Sequence, residues 1–185
     1  MSEVTTKDRS HSEAHHKDED TALLRQVPGK PWEAEVDVYL TSVGPPAAFQ
    51  IQTCLPVDPN GNIVFYNNGR PGFSINFHLY DNTNNGAGSG YVFPNPPSPP
   101  SKLMQWAMWS SAGQGCPPVG SGQWSEFTSV VVKDQGKTLV VRNTNSTQTL
   151  FGYTLRVTND GGTTFVDLDP GGSNQNGNAL ISQID

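Results

Sequence analysis

Five sets of residues in this 185-residue chain have types and spacings that can do chemistry. Asp58-x-Asn60-x-Asn62 and Asp81-x-Thr83-x-Asn85-Gly86 place oxygen ligands at alternate positions, as a hard cation such as calcium takes them. The set Asp81, Thr83 and Asn85 also has Gly86 at the sixth position of a calcium loop. Its twelfth position is Val92, where a bidentate Glu is needed, and no helical pattern flanks it, so the EF-hand reading fails. Hairpin turns use the same Asn, Asp and Gly, so turn formation accounts for both stretches without a metal. Asp167 and Asp169, two apart on a strand, share one face, with Asp160 in the preceding turn. Paired carboxylates can act as acid and base or flank a glycosidic bond, but a solvated strand face explains them equally. His78 lies beside Tyr80 on one strand face and near Asp81, with no Gly-x-Ser-x-Gly or catalytic-cysteine context to supply a nucleophile.

The aromatic set is Tyr91, Phe93, Trp106, Trp109 and Trp124, bordered by Asn- and Gly-rich loops. Exposed, such rings suit stacking on sugars or packing on a protein; buried, they fill a core. Alternation puts Trp106 and Trp109 on opposite sides of a strand, so both cannot face one core. The ligand-binding candidates are Tyr91, Phe93, Trp109 and Trp124. His11, His15 and His16 complete the inventory. His11 and His15 have the i, i+4 spacing of a metal pair, but their surroundings are polar and poor in helix formers, a poor place to preorganise ligands.

The elements that must position these residues are strands. Val36, Val38 and Leu40 alternate with Glu35, Asp37 and Tyr39; Phe73, Ile75, Phe77 and Leu79 alternate with Ser74, Asn76, His78 and Tyr80. Phe49, Ile51, Thr53 and Leu55 alternate in the same way. From Lys137 to Asp169, Leu139, Val141, Phe151, Tyr153, Leu155 and Val157 mark further half-buried strands, broken at Asn143–Ser146 and Asn159–Gly162. Five prolines between Pro94 and Pro100 exclude ladder pairing there, and the Gly- and Asn-rich segment after Pro170 reads as a polar end with little core potential.

Composition agrees. Gly and Pro are abundant (19 and 15), the apolar fraction is 34%, and charged residues are only 15%. That suits short strands and many turns rather than a helical bundle. Net charge −6 gives no basic footprint, so nucleic acid is disfavoured as a partner. No apolar run is long enough for a membrane span, and no apolar core follows a basic start. The expected localisation is cytoplasmic, with export lacking a recognisable signal as the alternative. Cys54 and Cys116 either pair in an oxidising compartment or remain separate thiols.

Asn68-Gly69-Arg70-Pro71-Gly72-Phe73, Tyr91-x-Phe93-Pro94, the run Leu155–Gly161, Asp169-Pro170 and Asn174–Gly177 together resemble a group of small bacterial all-β proteins labelled the DP-EP family, over roughly Glu33 to Asn178. The resemblance implies a bacterial source and a compact β-sandwich, and carries no assigned chemistry.

The fold expected is therefore all-β: an antiparallel β-sandwich of immunoglobulin-like style over residues 31–185, behind a disordered polar tail and linker over residues 1–30. The expected function is a non-enzymatic binding or interaction module for a protein or carbohydrate. It would work through the loops at 81–101 and 110–123, with Trp109 or Trp124 as anchor and no cofactor beyond the calcium candidate. The alternatives are a self-assembling structural protein that adds strands across an exposed edge, a calcium-dependent binding module, and a hydrolase.

Overall fold

The computed structural model describes residues 31–44, 46–59, 62–66, 72–95, 107–113 and 124–168, together with the backbone of 171–174. The tail histidines His11, His15 and His16, and with them Trp106, Cys116, Asp169 and the prolines of 96–100, lie outside the described residues.

Alternating apolar side chains become strands because period-2 patterning gives each strand one face to bury. The described residues form ten: β1 (Trp32–Ser42), β2 (Ala48–Thr53), β3 (Ile63–Phe65), β4 (Phe73–Asp81), β5 (Met108–Ala112), β6 (Phe127–Lys133), β7 (Thr138–Asn143), β8 (Thr149–Val157), β9 (Val166–Leu168) and β10 (Gly171–Asn174). A 3-10 turn, Asp134–Gly136, joins β6 to β7. Of the described residues 57% are strand and 3% helix, in two sheets. One runs β2-β1-β4-β7-β6, the other β3-β10-β8-β5 with β9 on β8. No helix among the described residues is long and apolar enough to cross a membrane.

The core lies between the sheets. From the first come Ala34, Val36, Val38 and Leu40 of β1, each 0% exposed, with Phe73, Ile75, Phe77, Leu79, Leu139 and Val141. From the second come Phe65, Phe151, Tyr153, Leu155 and Val157. The layers meet ring on ring: Phe77 and Tyr153 centroids are 5.7 Å apart, Phe65 and Phe73 5.2 Å and edge-on. Burial of Val36, Val38 and Leu40 alone contributes roughly 5–9 kcal/mol.

Two features correct the sequence expectation. The sheets are mostly but not wholly antiparallel: β1 pairs β4 in parallel, and β10 pairs β3 in parallel. The chain leaves β1 through the edge strand β2 and the second-sheet strand β3, then returns to β1's other flank in the same direction. Moreover, the Gly-rich segment Gly171–Asn174 is a strand, inserted between β3 and β8. A strand flanked on both sides is held by backbone hydrogen bonds, which leave no period-2 signature in Gly-Gly-Ser-Asn. At the start of β4, Gly72 is irreplaceable: its φ is +83°, and a Cβ there would sit 2.2 Å from the carbonyl oxygen of Asn143.

Candidate binding face

The outer face of the five-stranded sheet is written by the polar half of the same alternation. β1 turns Glu33, Glu35, Asp37 and Tyr39 away from the core; β4 does the same with Ser74, Asn76, His78 and Tyr80. The parallel register then sets Glu35 beside Asn76, Asp37 beside His78, and Tyr39 beside Tyr80. On the other flank of β1, Gln52 pairs with Asp37 and Gln50 with Tyr39.

The side chains meet. Asn76 Nδ2 donates to Glu35 Oε1 at 2.8 Å, and His78 Nε2 lies 2.6 Å from Glu35 Oε2. A carboxylate only accepts, so Nε2 carries the proton; in the neutral ring Nδ1 then accepts from Thr138 Oγ1 at 3.3 Å. Tyr39 and Tyr80 stack with centroids 4.8 Å apart and planes 15° off parallel. Tyr80 remains 45% exposed. The charge of Asp37 beside it, then partial burial, push its hydroxyl above the ordinary phenol range. Beyond Tyr80 the face runs into a cleft of about 430 Å³ walled by Asp81, Asn82, Gly88 and Lys137.

The line Glu35, His78, Thr138 has the elements of a carboxylate–imidazole–hydroxyl relay, but not its setting. Thr138 is buried, and the backbone N–H groups of β4 and β7 point along the sheet into the ladder. Those N–H groups are therefore turned away from the space above the face. The arrangement suits recognition by hydrogen bonds and ring contact.

The calcium candidate takes another role. Asp81 Oδ1 accepts from Thr83 N (3.2 Å) and Thr83 Oγ1 (2.6 Å), while Oδ2 accepts from Ser89 N (2.8 Å) and Tyr91 N (2.9 Å). Four donors occupy the roughly four lone-pair positions of one carboxylate, so no oxygen is turned towards a cation. Burial alone would raise its pKa, but the side chain of Thr83 and the N–H groups of Tyr91, Ser89 and Thr83 outweigh that and hold it at about 2. Thr83 is buried in this turn, and Asn85 sits exposed with φ +54°. At the other stretch, Asp58 Oδ1 and Oδ2 accept from Asn62 N and Nδ2, both at 2.9 Å. Among the described residues no group of three or more His, Cys, Asp or Glu is placed to hold a metal.

Of the carboxylate pair, Asp167 is likewise engaged, and Asp169 lies outside the described residues. Arg156 Nε and Nη2 engage both oxygens of Asp167 at 2.7 and 3.1 Å. Asp160 closes the β8–β9 turn, accepting from Thr158, Thr163 and Thr164; the Thr164 side chain foremost holds its carboxyl well below the usual range. Sequence reasoning missed a further carboxylate, Glu126, which is 4% exposed. It accepts from Thr144 Oγ1, from Ser146 N (2.7 Å) and Oγ (2.6 Å), and from Thr147 Oγ1 (2.7 Å). Burial opposes its ionisation, and the hydrogen bonds from Ser146, Thr144 and Thr147 together bring its pKa below the ordinary value. The Thr144–Thr147 run was the visible signal: four small polar residues need an acceptor.

The expected aromatic platform is also revised. Phe93 (1% exposed) and Tyr91 (9%) belong to the core, drawn in where Val92 bridges to Thr158 and Phe93 N donates to Gly136 O. Trp124 packs on Phe151 (4.9 Å, stacked) and edge-on to Phe127. Trp109 does lie on the outer side of its sheet, since its neighbour Met108 pairs inward with Leu155. It is nonetheless buried: the Arg156 guanidinium lies 4.5 Å over its ring and 4.6 Å over that of Phe165. A cation held between two rings and a carboxylate is a closed arrangement. Cys54 carries an exposed, free thiol.

No protein-family model and no curated protein matches this chain.

Proposed function

We propose that this protein is a non-enzymatic binding module, and that its ligand is a carbohydrate laid across the outer face of the five-stranded sheet. The observation that carries the reading is the Tyr39–Tyr80 stack, with Tyr80 exposed, set in a row of planar hydrogen-bonding groups. Gln50, Gln52, Asp37, Asn76, Glu35 and His78 offer carboxylates, amides and an imidazole in register across three strands. Vicinal hydroxyls are both donors and acceptors and match such groups two at a time; the free face of Tyr80 suits the apolar side of a sugar ring. A flat face fits an extended chain better than a compact small molecule, which needs a concave site.

The test is retention on a panel of immobilised neutral and acidic polysaccharides. Tyr80→Ala and Asp37→Asn each reduce affinity about tenfold or more, equivalent to losing one ring contact or charge-assisted hydrogen bond. Tyr80→Ala leaves the melting temperature within a few degrees, since an exposed stacked ring contributes about 0.5–1.5 kcal/mol. Retention that survives Tyr80→Ala, or no retention on any glycan while a protein ligand binds, refutes the assignment.

A further inference from the structure

β2 is an edge strand of the first sheet. β1 pairs one side of β2, and no strand among the described residues pairs the other. Exposed edges are ordinarily protected by charge, proline, a bulge or an inward lysine. The six residues Ala48–Thr53 (AFQIQT) have none of these; the one irregularity in the β1–β2 ladder lies at its far end, between Leu40 and Ser42. Phe49 and Ile51 face inward but stay half-buried, while their partners Leu40 and Val38 are 0% exposed. Beside them the sandwich opens into a cleft of about 490 Å³, lined by Val43, Pro46, Ala47 and Phe49 from this sheet and by Phe165 and Val166 from the other.

We propose that β2 is the contact edge of a homodimer, pairing antiparallel with β2 of a second copy to make one ten-stranded sheet. The register follows from parity. Residues directly opposed in an antiparallel pair share a sheet face, so in a two-fold pairing the two residue numbers must have an even sum. Centring the axis on Gln50 sets Phe49 against the partner's Ile51 over the mouth of the cleft, and Gln50 against the partner's Gln50 on the outer face. Centring it on Ile51 would set Phe49 against the partner's Thr53, and centring it on Phe49 would set Ile51 against the partner's Ala47, beyond the end of β2, so the Gln50 register alone keeps two Phe49–Ile51 pairs within the strand. Charge permits the association although each chain carries −6. β2 itself is uncharged, and the acidic rows of the two β1 strands are three strand spacings apart, about 14 Å against a Debye length of about 8 Å. The two outer faces then lie on the same side of the joined sheet, their β4 strands about 24 Å apart, as a polymeric ligand with repeated epitopes would use them.

The experiment uses the full chain and measures mass against concentration by light scattering and sedimentation, independently of any ligand. The wild type forms a dimer. Gln50→Lys and Gln50→Glu each put like charges directly opposite one another and weaken self-association about tenfold or more. Their equimolar mixture, with opposite charges in the same place, restores a dimer that native mass spectrometry identifies as mixed. Residue 50 is exposed on the outer face, so at concentrations low enough for all three proteins to be monomeric both variants keep the wild-type melting temperature. A wild type that stays monomeric at every accessible concentration overturns the proposal. So do Gln50 variants that dimerise as the wild type does, and a mixture that stays monomeric.

Discussion

Glu126 ties the 144–147 segment to the start of β6, and its removal should cost more than that of any exposed acid. It is buried and accepts four hydrogen bonds, from Thr144 Oγ1, Ser146 N and Oγ, and Thr147 Oγ1. Hydrogen bonds to a charged group contribute about 1.5–3 kcal/mol each, but four donors sharing one acceptor group are not additive. Glu126→Ala removes them all and strands the Ser146 N–H, a loss of about 4 kcal/mol from a stability of about 5–15 kcal/mol. Glu126→Gln is milder. Its amide oxygen can take the Oε2 position, accepting from Thr144 and the Ser146 N–H, while its NH2 donates to hydroxyls that rotate to accept. Four bonds survive without charge assistance, at a cost of about 2 kcal/mol. Urea unfolding should give these values with an unchanged slope, and melting temperatures should fall by about 8–16 °C for Ala and 4–8 °C for Gln. The folded-state pKa of Glu126 lies below its unfolded value, so its contribution is present above the unfolded pKa and is lost as pH falls through the folded one. Glu126→Gln should therefore flatten the acid limb of stability against pH. A Glu126→Ala protein within about 0.5 kcal/mol of wild type, the range of a neutral surface change, would refute this account.

Asp81 makes the same argument at the edge of the binding face. Its carboxyl is lowered from 3.8 to about 2, so its stabilisation is full above pH 4 and lost between about pH 4 and 2. Allowing for solvent screening of a half-exposed group, Asp81→Asn should cost about 1–2 kcal/mol at neutral pH and almost nothing at pH 2, measured by urea titration at both. Gly72→Ala combines positive φ with a backbone clash and should cost about 3 kcal/mol or more, whereas Gly86→Ala, with φ +88° and open space around its Cβ, should cost about 1 kcal/mol. Equal melting temperatures for the two glycine variants would mean that the close approach to Asn143 is not a constraint.

The strands that build the face were legible residue by residue. The alternation of β1 and β4 assigned Glu35, Asp37, Tyr39, His78 and Tyr80 to polar sides, and the structure puts them there. Their pairing was not legible. Glu35 and His78 meet through a parallel ladder between strands separated by β2 and β3, and no local pattern records which strand lies beside which. Alternation likewise placed Trp109 on one side of its strand without naming what covers it. The cover is Arg156, from the neighbouring strand β8. The acids that looked chemical, Asp81, Asp160 and Asp167, are consumed by neighbours within eleven residues, while Glu126 looked inert and holds a loop twenty residues away. Composition weighs residue types, whereas burial depends on contacts distant in the chain.

The parallel pairing of β3 with β10 has a consequence during synthesis. Ile63–Phe65 can be completed only when Gly171–Asn174 emerges, 106 residues after Phe65. At about 5–20 residues per second, β3 waits about 5–20 s for the strand beside it, and the free flank of β8, only 14 residues before Gly171, waits about 1–3 s. Through that interval the nascent second sheet has a gap at its centre, and the apolar side chains of Ile63, Phe65 and Phe151 have no finished layer to close over. Ribosome-stalled chains ending before Gly171 should therefore remain protease-sensitive, and those extending far enough for Asn174 to clear the exit tunnel should become resistant.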